Sequence, residues 1–203
     1  MNIAVFASGN GTNFQAIADA VKSRKIKANL ALLVCDNPGA FALARAKKAK
    51  VKTLLIEKKN FKSKQEFEAE IIEHLKKEKI GLIALAGYMR LLSGEFVRQY
   101  KNKILNIHPA LLPAFKGANG IKDAFEYGVK VAGPTAHFVD EQMDNGPIII
   151  QAAVKVEDSD TEETLAEKIH KEEHRIYTEA IKLFAEGRLK RVGRKVKILE
   201  RGQ

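Results

Sequence analysis

Two polar residues close a short apolar run in Asn106-Ile107-His108-Pro109. Side chains alternate along an extended strand, so Asn106 and His108 point to one side and Ile107 to the other. Left unpartnered in an interior, each would cost about 1–3 kcal/mol. One use for the pair is chemical: an amide donor stabilises an oxyanion and an imidazole shuttles a proton near neutral pH, which together make a kit for acyl transfer. The other is structural, a hydrogen-bonded pair that closes a strand.

Three further groupings carry chemistry-bearing residues. Ser8-Gly9-Asn10-Gly11-Thr12-Asn13 follows the first apolar run and opens a helical stretch. Its glycines let the backbone approach a ligand, and a helix start offers N–H groups and partial positive charge to a phosphate. The dinucleotide fingerprint needs a third glycine where Phe14 stands, and the Walker lysine is missing, so the loop suits a single phosphate or is a plain strand-to-helix turn. Asp140-Glu141-Gln142-Met143-Asp144-Asn145-Gly146-Pro147 is a loop with three acids in five residues. It could orient a histidine or be a solvated turn; its spacing does not match a calcium loop. His170 and His174 have zinc-pair spacing, but Lys171 replaces the glutamate of the zincin motif, so no metal site is expected. With Glu173 they share a helix face that could meet a ligand. His74 belongs to a Lys/Glu-rich surface helix, and His137 is open between core and site. Cys35 ends a strand with no motif to activate it.

The elements that position these residues alternate. Asn2–Ala7, Asn29–Cys35, Val51–Ile56, Gly81–Ala86 and a run ending at Leu105–His108 read as strands. Helical periodicity fills Phe14 to Val21, Ala40–Ala49, and a stretch from a Ser63 cap to Lys79. Near-continuous apolar strands alternating with helices predict a parallel, doubly wound α/β sheet, with ligands at the strands' C-terminal ends. After the loop Pro109–Gly120, Val131–Val139 and Ile148–Val156 predict a longer antiparallel pair. Ser159 and Glu162 have capping-box spacing for a long helix to about Glu186, and Gly187 suits its C-cap.

At 203 residues, 45% apolar and 30% charged, the chain fits one globular domain, 1–203. No apolar run approaches the roughly 18–20 residues that cross a bilayer, and the first residues lack the basic region of a signal peptide. A lone cysteine excludes an internal disulfide and a Cys-based zinc site. A soluble, cytoplasmic protein is expected. Net charge is 35 − 25 = +10. Between Arg188 and Arg201 stand seven bases and one acid, 7 − 1 = +6, so 188–203 reads as a solvated basic tail. It contains no aromatic residue on which a nucleic-acid base could stack.

The Ser8–Asn13 loop, Gly87-Tyr88-Met89-Arg90-Leu91-Leu92, Asn106-Ile107-His108-Pro109-Ala110-Leu111-Leu112-Pro113 and His137-Phe138-Val139-Asp140-Glu141…Asp144-Asn145-Gly146-Pro147 occur in that order. Together they resemble the phosphoribosylglycinamide formyltransferases of the folate-dependent formyltransferase superfamily, over about Met1 to Gly187. The resemblance implies a Rossmann-like domain that moves a formyl group from 10-formyltetrahydrofolate to the amine of glycinamide ribonucleotide in purine (IMP) synthesis. It implies Asn106, His108 and Asp144 as the catalytic trio, with Asp144 orienting the imidazole and favouring its charged form. Gly11, Thr12 and Asn13 would hold the substrate phosphate, and His170 and Glu173 would approach the ribosyl-glycinamide. Lys64, Met89, Arg90, Leu91, Leu92, Asn106, Val139, Asp140, Glu141 and Asp144 would surround the folate. The implied partners are these two small molecules, with no metal, nucleic acid or membrane, in a monomer or weak homodimer.

Three positions depart from many relatives: Asn119 stands for His, Ala110 for Ser and Thr178 for Pro. A non-histidine at Asn119 is also a habit of the formyltetrahydrofolate deformylases, hydrolases that usually lack this phosphate loop and carry an added N-terminal domain. Methionyl-tRNA formyltransferases share the catalytic motifs but normally add a tRNA-gripping C-terminal domain, and 16 residues follow Gly187 here. The transferase reading comes first.

A carboxylate at the helix start would repel a phosphate. Thr12→Asp is therefore expected to raise KM for the phosphorylated acceptor about tenfold or more while KM for the formyl donor stays within about twofold, in steady-state assays.

Overall fold

The computed structural model describes residues 1–200. Two compact units make up the chain, Met1–Leu105 and Asn106–Gln203. In the first, β1 (Asn2–Phe6), α1 (Thr12–Lys22), β2 (Asn29–Cys35), α2 (Phe41–Lys48), β3 (Lys52–Leu55), α3 (Lys64–Lys77), β4 (Ile80–Leu85) and α4 (Gly94–Gln99) lead into β5 (Ile104–His108). The second continues with α5 (Gly120–Tyr127), β6 (Val131–Ala132), β7 (Thr135–Phe138), β8 (Ile148–Gln151), β9 (Val154–Lys155), α6 (Glu162–Ala185), β10 (Leu189–Val192) and β11 (Lys195–Ile198). The main sheet has seven strands in the order β3-β2-β1-β4-β5-β7-β8.

In the first unit β1 pairs in parallel with β2 and β4, and β2 with β3. Strands β1, β2 and β4 are buried nearly without interruption, because residues facing either way are covered. β3 is the exposed edge. Phe14 and Ile17 of α1 and Phe67, Ile71 and Leu75 of α3 supply one apolar stripe per helix. Ser63 caps α3, its hydroxyl accepting from the Glu66 N–H at 3.0 Å. The chain builds outward from β1 to β3, then returns to the other side of β1 with β4. The strand order reverses there, and the loops after β1 and β4 meet across that switch point. Ser8 N–H donates to Gly87 O at 3.0 Å and Met89 N–H to Ser8 Oγ at 3.0 Å.

In the second unit the expected long antiparallel pair is broken in two. β7 pairs with β8, and β6 with β9, both antiparallel. Gly133, at φ 141°, and Pro134, which lacks an N–H, divide β6 from β7, so neither long strand stays continuous. α6 covers this region, with Leu165 and Ile169 packed on Ala132 and Val154 and flanked by Ile121 and Phe125 of α5. The α6 cap also differs from the expected Ser159–Glu162 box. Thr161 is the N-cap, its hydroxyl accepting from Thr164 N–H while its own N–H donates to Thr164 Oγ1. Asp160 is drawn back against Thr164 and Lys168, which leaves Ser159 in the preceding turn. The basic segment expected to be a solvated tail forms the antiparallel hairpin β10–β11, with Gly193 at φ 62° in its turn. Residues 201–203 lie outside the described chain.

A Cβ at Gly133 would lie 1.9 Å from Ala152 O, and the backbone there is one that L-residues avoid. Gly133→Ala is expected to lower unfolding stability by about 2–4 kcal/mol in urea titrations.

Candidate active site

In the second unit one carboxylate gathers the polar residues. Asp144 lies in the β7–β8 loop at φ 48°, in the left-handed region. Its Oδ2 accepts from Gly117 N–H at 2.9 Å and faces His108 Nδ1 at 3.4 Å. Its Oδ1 faces Asn106 Nδ2 at 3.4 Å and His137 Nε2 at 3.8 Å. The alternation of β5 thus brings Asn106 and His108 to the same carboxylate. His108 is 3% exposed, and its Nε2 contacts Phe115 O at 2.8 Å. Both ring nitrogens therefore face acceptors, and both contacts become hydrogen bonds only when each nitrogen carries a proton.

His137, left open between core and site, belongs to this cluster. Its Nδ1 donates to Phe138 O at 2.8 Å, which leaves Nε2 to accept from Asn106 Nδ2 at 3.2 Å. Burial pushes the imidazole below its ordinary pKa and keeps it neutral, with the backbone bond and the Asp144 charge acting the other way. Sequence spacing also missed Gly117 and Phe115, which act through their backbones. It missed Gly120, where a Cβ would crowd His108 Nε2 at 3.2 Å and Phe115 O at 3.1 Å.

The loop that presents Asp144 is built rather than loose. Asp140 accepts from Gln142 N–H at 3.0 Å and from Asn145 Nδ2 at 3.2 Å. Lys116 Nζ donates to Asn145 Oδ1 at 3.2 Å. Only glycine fits at 146, where a Cβ would lie 1.7 Å from Phe138 O. Val139 is half-buried at the loop start, and Glu141 is exposed. On α6, His170 Nδ1 donates to the buried Glu173 carboxylate at 3.0 Å, and this bond raises the His170 pKa. Asn119 is the exposed N-cap of α5, its side chain making no cap bond. Ala110 is buried, and Thr178 returns its hydroxyl to His174 O and Arg175 O.

In the first unit the Ser8–Asn13 loop turns into α1 at Gly11, φ 74°. A Cβ there would fall 2.7 Å from Ala42 Cβ, so glycine permits both the turn and the packing on α2. No side chain caps α1. Thr12 and Asn13 occupy its first turn, where N–H groups and the helix dipole favour an anion. Arg45 brings a positive charge to the loop, donating to Asn10 O and Oδ1 at 2.9 Å each.

A pocket of about 340 Å³ follows β4, lined by Lys58, Lys64, Phe67, Glu68, Tyr88 and Met89–Leu92. Lys64, Met89, Arg90, Leu91 and Leu92 therefore share one cavity. Arg90 is fixed by an ion pair with Asp36 at 2.6 Å and lies over the Phe67 ring. Glu68 accepts from Ser93 N–H at 2.8 Å and faces Lys64 Nζ at 3.9 Å. Tyr88 presents a buried hydroxyl that none of the described residues hydrogen-bonds, and burial pushes its pKa well above the ordinary phenol value. Met89 and Leu91 are largely exposed. Apolar and aromatic side chains interleaved with Lys58, Lys64, Glu68 and Arg90, in this volume range, suit a small organic ligand with polar groups.

Comparison with known proteins gives one consistent answer. Residues 1–181 match the formyl transferase family. The phosphoribosylglycinamide formyltransferase of Bacillus subtilis (strain 168) is 50% identical over 88% of this chain and 92% of its own. The trifunctional purine biosynthetic protein adenosine-3 of Gallus gallus is 44% identical over 92% of this chain, which spans 19% of that longer protein. The crystal structure of glycinamide ribonucleotide transformylase 1 from Symbiobacterium toebii is similar with a TM-score of 0.96 and 48% identity, over 98% of this chain and 94% of that one.

The neutral state of buried His137 sets a pH signature. Its folded pKa lies below that of the unfolded chain, so stability is lost as pH falls through the unfolded value near 6.5 toward the folded one. His137→Gln is expected to be less stable than wild type at pH 7.5, with the gap narrowing at pH 5.5. Urea midpoints at the two pH values check it; a constant gap contradicts it.

Proposed function

The chain belongs to the formyl transferase family, and from that membership and the geometry above we infer which residues carry out its reaction. It is a folate-dependent enzyme of purine biosynthesis that formylates glycinamide ribonucleotide. The formyl donor is a folate cosubstrate, in this reading 10-formyltetrahydrofolate. The observation that carries the catalytic assignment is the convergence of Asn106 and His108 on the Asp144 carboxylate.

The substrate amine bonds to the formyl carbon, and the carbonyl electron pair moves onto oxygen. On collapse the bond to the folate nitrogen breaks; that nitrogen gains a proton and the amine loses one. Asn106 Nδ2 is the donor for the oxyanion. Its contacts at 3.2 and 3.4 Å are long, so a developing negative oxygen displaces them at small cost. Protonated His108 adds positive charge beside that oxygen and supplies the proton for the leaving nitrogen, directly or through water. Asp144 holds the imidazole in place and balances its charge.

Gly11, Thr12 and Asn13 would bind the acceptor's phosphate, and His170, raised in pKa by Glu173, would present a donor to the ribosyl-glycinamide. The Lys64 and Met89–Leu92 pocket fits the folate, Tyr88 offering its unused hydroxyl and Lys64 its charge. Val139, Asp140 and Glu141 would complete folate binding from their own loop with Asn106 and Asp144. We place the enzyme in the cytoplasm, as one domain acting as a monomer or weak homodimer. Among the described residues no helix is long and apolar enough to cross a membrane.

The test follows conversion of 10-formyltetrahydrofolate to tetrahydrofolate by absorbance, with and without glycinamide ribonucleotide. Conversion is expected only with the ribonucleotide. Conversion at equal rate without it would make water the acceptor and Asn119 the first position to examine. In the same assay Asn106→Ala is expected to lower kcat about 10²–10³-fold, the usual loss for one oxyanion donor.

A further inference from the structure

The hairpin β10–β11 lies beyond residues 1–181, the span matched by the formyl transferase family. One of its side chains nevertheless reaches the catalytic loop. Arg194 Nη2 donates to Asn145 O at 2.8 Å. That carbonyl belongs to the residue directly after Asp144.

The hairpin is braced to carry this contact. Arg188 and Leu199 close its base through two bonds, Arg188 Nε to Leu199 O at 2.7 Å and Leu199 N–H to Arg188 O at 2.8 Å. β11 lies against β8, the strand that leaves the catalytic loop. At the turn Gly193 takes φ 62°, and Arg191 Nε donates to Gly193 O at 2.9 Å, which fixes the turn that presents Arg194.

The loop needs such a restraint. Asp144 holds a left-handed backbone conformation, which a non-glycine residue pays for in strain. Gly146, pressed on Phe138 O, anchors the chain on one side of Asn145. The Asn145 carbonyl lies between these two positions, and Arg194 is the side chain that bonds it. A guanidinium on that oxygen makes a charge-assisted bond, stronger than a neutral one. Lys116 on the Asn145 side chain and Asp140 on its amide complete the fixation.

We propose that Arg194 is a positioning residue for formyl transfer, tethering the Asn145 carbonyl so that the Asp144 carboxylate stays on His108. The inference rests on the reading of Asp144 and His108 as catalytic. Arg194 touches neither substrate in this role. Its loss loosens the geometry of the chemical step rather than substrate affinity.

The experiment measures steady-state formyl transfer by the full chain carrying Arg194→Ala, Arg194→Lys, Asp144→Asn and the double variant Arg194→Ala/Asp144→Asn. Amide hydrogen exchange of residues 140–146 is recorded for wild type and the Arg194 variants. Arg194→Ala is expected to lower kcat about three- to tenfold, with both KM values within about twofold. Arg194→Lys, which keeps a charged donor, recovers most of the loss. In the Asp144→Asn background Arg194→Ala has no further effect, because the residue acts through that carboxylate. Exchange across 140–146 quickens in Arg194→Ala, while the melting temperature stays within about 2 °C. Wild-type turnover and exchange in Arg194→Ala, beside an impaired Asp144→Asn, would overturn the tether alone. Additive losses in the double variant would also overturn it. Wild-type turnover in Asp144→Asn would overturn the catalytic reading and the tether with it.

Discussion

The site in the second unit depends on one carboxylate held away from water. Asp144 is about one-tenth exposed, and a charge so placed is costly unless it is paired and hydrogen-bonded. Gly117 N–H supplies the firm bond at 2.9 Å. His108 and Asn106 supply longer and weaker contacts. That inequality matters for chemistry. The backbone fixes the carboxylate, and Phe115 O fixes the His108 ring at 2.8 Å, while the Asn106 amide is held only by long contacts. Both Asn106 N–H groups have partners, His137 and Asp144, but at 3.2 and 3.4 Å these contacts yield readily to an oxyanion.

Much of the surrounding structure serves that placement. β5 brings Asn106 and His108 to one face because side chains alternate. Gly120 leaves room for the His108 bond to Phe115 O, and Gly146 lets the loop chain press on β7. Neutral His137 is an acceptor for Asn106 and adds no second positive charge beside His108. In the first unit the same economy appears at the switch point. The loops after β1 and β4 tie to each other through Ser8, and from them come both the uncapped α1 start and the pocket with Arg90.

What the sequence made legible follows from periodicity and local chemistry. The parallel strands are apolar and bounded by polar loops, so β1, β2, β4 and their helices could be read to within a residue or two. Asn106 and His108 stood out as polar residues at an apolar strand end. His137 did not, because a histidine between Ala136 and Phe138 reads equally as core. The partners of His108 and Asp144 are invisible in kind: Phe115 contributes a carbonyl and Gly117 an N–H, and every residue but proline has both. The expected antiparallel pair is longer than the observed one because Val131–Val139 is mostly apolar and β-prone, and only Gly133-Pro134 marks the break. The hairpin sequence reads as a tail because its charges outweigh the sparse apolar residues Leu189, Val192, Val196 and Ile198 around Gly193. The α6 cap moved because Ser159 and Thr161 both offer a hydroxyl, and only Thr161 has Thr164 to answer it.

The central claim is that Asp144 serves the chemical step through His108 rather than substrate binding. The most direct measurement is the single-turnover rate of formyl transfer in Asp144→Asn beside wild type, with dissociation constants for both substrates obtained separately. The expected result is a rate at least about 100-fold lower, of the kind seen when the carboxylate orienting a catalytic histidine is neutralised, with both dissociation constants within about threefold. An unchanged rate, or a loss confined to substrate affinity, would contradict it.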